Sequence, residues 1–298
     1  MNHPQLAGDW WKDPRTCAVL SRYWQQYIVG LHVLSSQGGK LVSYVYTGFL
    51  LEVWAVHFWI TAGHVVDELA KLTEDDRIIL RGAEWADGYS NPDAASIPVD
   101  IKALKSCPIR DGHIDIGVVD LPENTVSLLK ANPAIKFFTP VVWLRNQSAN
   151  PVGYYVVGIP NEHQHTTTTA LSKRSFTTDV AFPIVALPIE RIDPPAGTCG
   201  KEFWQYPDAF YGRLLSVSLP DIGPVQNIEG MSGGPIISIE MTPTGQMKYR
   251  VFAIQSEWLP NSRIVRCTPI EVLDAGLRAA FEPDVDSETA ATTSSSQA

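Results

Sequence analysis

Short apolar runs and runs of alternating apolar and polar residues recur along the chain, with Gly, Pro, Asn and Asp between them. They fall at Tyr27 to Leu34, Leu41 to Val53, Ala55 to Ile60, Arg77 to Leu80, Ile97 to Leu104, Ile114 to Leu121, Val141 to Leu144, Tyr154 to Ile159, Leu214 to Leu219, Pro235 to Ile239, Tyr249 to Ile254 and Arg263 to Cys267. Runs of this length bounded by turn residues suit strands that bury one or both faces. Their number and spacing predict an all-β sandwich or barrel rather than a βαβ fold.

Helical patterns are fewer: one around Ser21, one from His64 to Leu72, one from about Glu123 to Asn132, and one at the C-terminal end. The last carries Thr268 and Glu271 in a capping-box pattern with Pro269 at the first helical position, and Ile270, Val272, Leu273, Leu277 and Phe281 form its apolar face. The stretch from Pro122 to Pro140 holds a short helix pattern between two strand-rich halves and is the natural joint. After Phe281 the chain turns acidic and then small and polar, a composition that cannot offset the entropy of ordering, so residues 283 to 298 are expected to form a disordered tail.

Composition narrows the function classes. With 45% hydrophobic and 18% charged residues among 298, the chain can bury a full core without metals or crosslinks. A formal net charge of −9 and no long basic run argue against nucleic acid as a partner. The N-terminal residues lack a basic start followed by an apolar stretch, and no segment reaches ~18 uninterrupted apolar residues, so neither secretion nor a membrane is expected and the chain reads as cytoplasmic. Cys17, Cys107, Cys199 and Cys267 stand singly, and in that compartment free thiols are expected.

Candidate chemistry lies in three strings. Gly230-Met231-Ser232-Gly233-Gly234-Pro235 places a serine in a glycine-rich turn ahead of a strand, where its hydroxyl is exposed and neighbouring backbone N–H groups can converge. Donors aimed at a developing oxyanion contribute roughly 3–4 kcal/mol each in a well-formed site, and Gly230 and Ser232 are the expected pair. Serine needs a positioned base, and His64 in Thr61-Ala62-Gly63-His64-Val65 stands where an apolar strand turns into a helix. The base needs a buried carboxylate on its other nitrogen, and Asp115 enters an apolar strand from a loop. Asp111 and Asp120 compete with it, but each reads as a turn residue.

Together the TAxH string, the Asp-Ile strand and the GxSGGP string resemble the trypsin/chymotrypsin-type serine peptidases. The order His, Asp, Ser separates that family from subtilisins and α/β-hydrolases. Thr47-Gly48-Phe49 and Ile254-Gln255-Ser256 extend the likeness to about Tyr27 to Phe281, although only the triad strings are specific. The resemblance implies two packed six-stranded antiparallel β-barrels with a C-terminal helix: barrel 1 over about 26–121, the joint at 122–140, barrel 2 over about 141–267 and the helix at 268–282, preceded by a 1–25 extension. It also implies His64, Asp115 and Ser232 as catalytic residues, a protein or peptide substrate, and no cofactor or metal. By the same likeness Ser256 should hydrogen-bond near Asp115, its strand should pair with an extended substrate, and Gln226 should lie at the floor of the specificity pocket.

Departures from that pattern bear on regulation and specificity. Met231 stands where secreted members carry an aspartate that pairs with a new N-terminus, so the site is either formed as synthesised or switched by another partner or regulator. Gln226 is neutral and gives no support for Arg or Lys specificity, while Glu257 and Trp258 follow Ser256 where slim residues would leave a pocket open. The stretch from Asn161 to Gly212 is long for a connection and holds His163, His165 and the aromatics Phe203, Trp204, Tyr206, Phe210 and Tyr211. The two histidines read as solvent-exposed rather than as metal ligands, and the aromatics as core. Asn146 begins a glycosylation sequon that has no role in an unsecreted chain. The alternatives to an endopeptidase are a non-catalytic binding or scaffold module on the same fold, and a protease that acts only on itself.

Overall fold

A computed structural model of the chain describes residues 9–87, 97–109, 114–143, 151–170, 176–195, 209–242 and 244–281. Asp111, Asn146, Cys199, Phe203, Trp204, Tyr206 and the expected tail lie outside them.

The chain opens with helix α1 (Pro14–Trp24), whose start is set by Asp13: its Oδ1 accepts from the N–H groups of Arg15 at 2.8 Å and Thr16 at 3.3 Å, and Pro14 occupies the first turn. Eight strands then form the first half: β1 (Val29–Gln37), β2 (Lys40–Tyr46), β3 (Phe49–Val53), β4 (Val56–Thr61), β5 (Ile78–Asp87), β6 (Ile97–Pro98), β7 (Lys105–Ile109) and β8 (Ile116–Asp120). Helix α2 (Gly63–Glu74) follows β4 and buries Val65, Val66, Leu69 and Leu72 at helical spacing. Two four-stranded sheets result, β2-β1-β5-β6 and β3-β4-β8-β7, linked by the antiparallel bridge Ile28 to Phe49. The run Leu41 to Val53 is therefore two strands, broken at Thr47-Gly48.

Helices α3 (Glu123–Ala131) and α4 (Pro140–Trp143) follow β8. Val141 to Leu144, expected as a strand, instead starts as a helical turn, because Pro140 fixes the φ that a first helical residue needs.

The second half comprises β9 (Gly153–Gly158), β10 (His165–Ala170), β11 (Phe176–Ala181), β12 (Val185–Arg191), β13 (Phe210–Leu214), β14 (Ser218–Leu219), β15 (Gly223–Pro224), β16 (Pro235–Met241), β17 (Met247–Leu259) and β18 (Ile264–Pro269). Six of them close into a barrel in the order β12-β13-β18-β17-β16-β9, while β10 and β11 form a separate hairpin. The long connection expected from Asn161 to Gly212 thus contains a hairpin and a full barrel strand. Helix α5 (Ile270–Phe281) closes the chain and buries Ile270, Leu273 and Leu277. Ahead of it, Thr268 and Pro269 are the last residues of β18, paired with Ile254 and Ala253, and the Thr268 hydroxyl meets that of Ser256 at 2.8 Å.

One core runs through both halves, joining Phe49, Phe58, Ile60 and Ile116 to Val157, Ile236 and Ile254, all fully buried. A second cluster lies under α2 around Leu31, Trp59 and Trp85. The all-β class and the closing helix are as expected, with a closed six-stranded barrel in the second half and two four-stranded sheets in the first, and this packing sets the start of α2 and the turn before β16 against each other.

Candidate active site

His64 stands in the first turn of α2, immediately after the buried strand β4. Asp115 precedes β8, which pairs with β4 through Thr61 and Gly117, so the ladder brings the carboxylate to the start of the helix. Asp115 grips His64 twice: its Oδ1 accepts from the His64 backbone N–H at 2.8 Å and its Oδ2 lies 2.6 Å from His64 Nδ1. The imidazole is thereby fixed in rotation, and a carboxylate at a helix N-terminus is favoured by the helix dipole. The Asp115 side chain is 19% exposed against 41% for His64, so the acid is the sheltered member. Asp120, the competing carboxylate, ends β8 at its other extremity.

Ser232 lies in the turn before β16. Gly233 has φ +89° and Gly230 φ +90°, the left-handed region that side chains rarely adopt. A Cβ on Gly233 would strike Thr61 and the backbone of Ala62, and one on Gly230 would strike Asn161. The glycines therefore let the serine turn press directly on the segment leading to His64. Met231, between them, is fully buried in the main core.

Four backbone bonds hold the turn: Gly233 N–H to Gln255 O at 2.8 Å, Gln255 N–H to Gly234 O at 2.9 Å, Gly234 N–H to Met231 O at 2.9 Å and Met231 N–H to Ile228 O at 3.1 Å. Among the described residues no carbonyl accepts from the N–H of Gly230 or Ser232.

A cleft of about 1120 Å³ collects these groups, lined among others by His64, Asp115, Gly230, Ser232, Ser256 and Trp258. Past Ile254, its last residue paired with β16 (opposite Pro235), β17 continues through Ser256, Glu257, Trp258 and Leu259; the last three pair on one side with β18, and all four border the cleft. That edge can receive an extended chain.

No family model and no curated protein sequence matches the chain. Among solved structures it is similar to a thermostable serine protease from an extremophilic microorganism, at 11% identity over 87% of this chain and 99% of that one, with a TM-score of 0.43. It is similar to a protease of M. tuberculosis in its active form, at 13% over 89% and 86% with 0.42, and to the protease Anisep from Arthrobacter nicotinovorans, at 13% over 86% and 95% with 0.42. These neighbours are proteases. At such identities and scores the likeness carries nothing about this chain's chemistry, which rests on its own residues.

Two expected placements are corrected. Gln226 is exposed and does not line the cleft: Glu162 Oε1 accepts from its N–H at 2.7 Å and its carbonyl accepts from Arg263 at 3.3 Å, which fixes the loop with the side chain outside. Ser256 does not bond to Asp115; its hydroxyl donates to Ile254 O at 3.3 Å and shares a hydrogen bond with Thr268. Glu257 and Trp258 do line the cleft, Trp258 with its indole N–H on Asn227 Oδ1 at 2.9 Å.

Sequence reasoning missed the part played by Thr47. Fully buried, it donates to Gly230 O at 2.6 Å, accepts from the Ile159 N–H at 3.0 Å, and its carbonyl accepts from the Thr61 hydroxyl at 2.7 Å. One threonine thus ties the serine turn to the strand before His64. Asn161 was missed as well: its N–H donates to Glu229 O at 2.7 Å, and its side chain lines the cleft. Thr47 stands in the Thr47-Gly48-Phe49 string, which marks a strand but not the hydroxyl's bond to the serine turn, and Asn161 stands in no recognisable string.

Among the described residues no group of three His, Cys, Asp or Glu could hold a metal, and no helix is long and apolar enough to cross a membrane. Cys17, Cys107 and Cys267 are free thiols.

Proposed function

We propose that the chain is a serine endopeptidase in which His64, Asp115 and Ser232 form the catalytic triad. The observation that carries this reading is the double grip of Asp115 on His64 in the wall of the cleft that Ser232 also lines. With Nδ1–H donated to the carboxylate, the lone pair sits on Nε2, the form a general base requires.

His64 Nε2 takes the Ser232 proton as Oγ attacks the scissile carbonyl, and the Gly230 and Ser232 N–H groups receive the oxyanion. The intermediate collapses as His64 returns that proton to the leaving amine, giving an acyl-serine. Water, deprotonated by His64, releases the acid. Asp115 stays ionised throughout and stabilises the imidazolium. The free edge from Ser256 to Leu259 supports a peptide substrate bound as an added strand.

Hydrolysis of a fluorescent casein tests the reading. Ser232→Ala is expected to abolish turnover with an unchanged far-ultraviolet spectrum, and Asp115→Asn to lower kcat by about 10⁴-fold. Undiminished hydrolysis by Ser232→Ala would remove the assignment.

A further inference from the structure

The cleft contains a charge that the proposed reaction does not use. Arg266 on β18 stands opposite Glu257 on β17, so the two side chains share a face, and Arg266 Nε donates to Glu257 Oε2 at 3.1 Å. Both residues line the cleft beside Ser256 and Trp258. They differ in depth: the Arg266 side chain is 8% exposed and that of Glu257 is 39%. The cation is built into the wall while its carboxylate stands on the solvent side.

A guanidinium stays protonated at any working pH and matches carboxylates in shape. Removing the counter-ion from a buried charge is strongly unfavourable, whereas exchanging one carboxylate for another leaves the pairing intact. Glu257 makes no other hydrogen bond or ion pair among the described residues, so Arg266 is what holds it in place. Trp258 is anchored by Asn227 and gives the subsite a fixed apolar side. Gln226, turned outward, adds nothing to it.

Resting on the endopeptidase reading, we propose that Arg266 is the specificity-determining residue of this cleft, and that an acidic substrate side chain binds it by displacing Glu257. Glu257 acts as a stand-in for the substrate carboxylate, holding its place on the Arg266 guanidinium until a substrate carboxylate takes it and Glu257 swings to solvent. Glu68, Asp115, Glu229 and His64 also line the cleft, and its acidic lining favours a basic side chain as the rival occupant. A basic group that took Glu257 would deprive Arg266 of this partner and bring two cations together. An acidic group exchanges like for like.

Tetrapeptide amides differing only in a C-terminal Glu, Gln, Leu or Lys, titrated calorimetrically into Ser232→Ala protein, test the subsite without needing turnover. The Glu peptide is expected to bind at least ~10-fold tighter than the Gln or Lys peptide. In the Ser232→Ala background Glu257→Gln should tighten Glu-peptide binding several-fold, and the double change Glu257→Gln with Arg266→Gln, which removes the pair together, should reduce the Glu preference below about two-fold. A wild-type pair that binds Gln, Leu or Lys as well as Glu overturns the proposal, as does a Glu preference that survives the double change. Matching internally quenched substrates with unmodified protein separate the two readings. Glu-selective binding without hydrolysis sinks the catalytic assignment and keeps the subsite, and hydrolysis without Glu preference does the reverse.

Discussion

Thr47→Val should damage stability and activity together, because the side chain it alters joins the two halves of the active site. The substitution keeps the volume and removes the hydroxyl. Two hydrogen bonds disappear, to Gly230 O at 2.6 Å and from the Ile159 N–H at 3.0 Å, at a fully buried site where water cannot replace them. Each bond contributes about 1 kcal/mol net, and a buried unpaired N–H costs a further 1–3 kcal/mol, so the loss should be roughly 3–5 kcal/mol. For a domain of this size about 2–4 °C of Tm follows each kcal/mol, which gives a fall of roughly 6–20 °C. Release of the Gly230 carbonyl also frees the turn that carries the two oxyanion donors, so kcat should fall about 10-fold or more below the melting range. Circular-dichroism melts and casein hydrolysis at a temperature where both proteins are folded measure the two effects. Thr47→Ser keeps the hydroxyl and should restore most of kcat, with a Tm cost limited to one buried methyl, about 1 kcal/mol. A Thr47→Val protein that melts within about 2 °C of wild type, well under the smallest expected shift, with unchanged kcat would refute this account of the turn.

Other consequences are open to simpler tests. Trp54 and Ala55 have φ +49° and +63° in the two-residue turn between β3 and β4, so Ala55→Gly should raise stability by about 1 kcal/mol, read as an increase in the denaturation midpoint; no increase would mean the turn is unstrained. Burial pushes the Cys17 thiol up to about 12, so at neutral pH iodoacetamide should label exposed Cys107 well before Cys17, and peptide mapping that finds Cys17 labelled first in native protein would contradict the burial. His57 is held below its ordinary value by burial and then by Lys130, so the folded state prefers the neutral ring. Its contribution to stability is present above the unfolded pKa near 6.5 and is lost as pH falls through the lower folded value. A denaturation series should show His57→Gln flattening that part of the pH profile, and an unchanged slope would remove His57 from it.

The parts of this molecule that the sequence reveals are those written locally. The serine turn announces itself because two glycines must take positive φ at fixed offsets, and His64 because an apolar strand ends one turn before it. Asp115 was separable from Asp120 since only the former enters β8 from outside. Where tertiary context overrides local pattern, the reading failed. Val185–Arg191 was absorbed into the long connection from Asn161 to Gly212, yet it forms a barrel strand that accepts Pro188 opposite Tyr155. Gln226 stands at the expected offset from Ser232, and an offset along a loop does not fix which way a side chain points. Arg266 was invisible because an alternating strand shows which residues share a face, not which face meets the cleft.

The central claim is that Ser232 is an activated nucleophile. Incubating the folded protein with a fluorophosphonate and locating the adduct by peptide mass spectrometry tests it most directly, with heat-denatured protein and Asp115→Asn as controls. The account predicts a single adduct on Ser232 in the native protein, far slower labelling in Asp115→Asn and none after denaturation. A native protein that stays unlabelled, or that is labelled at Ser232 equally well when denatured, would contradict it.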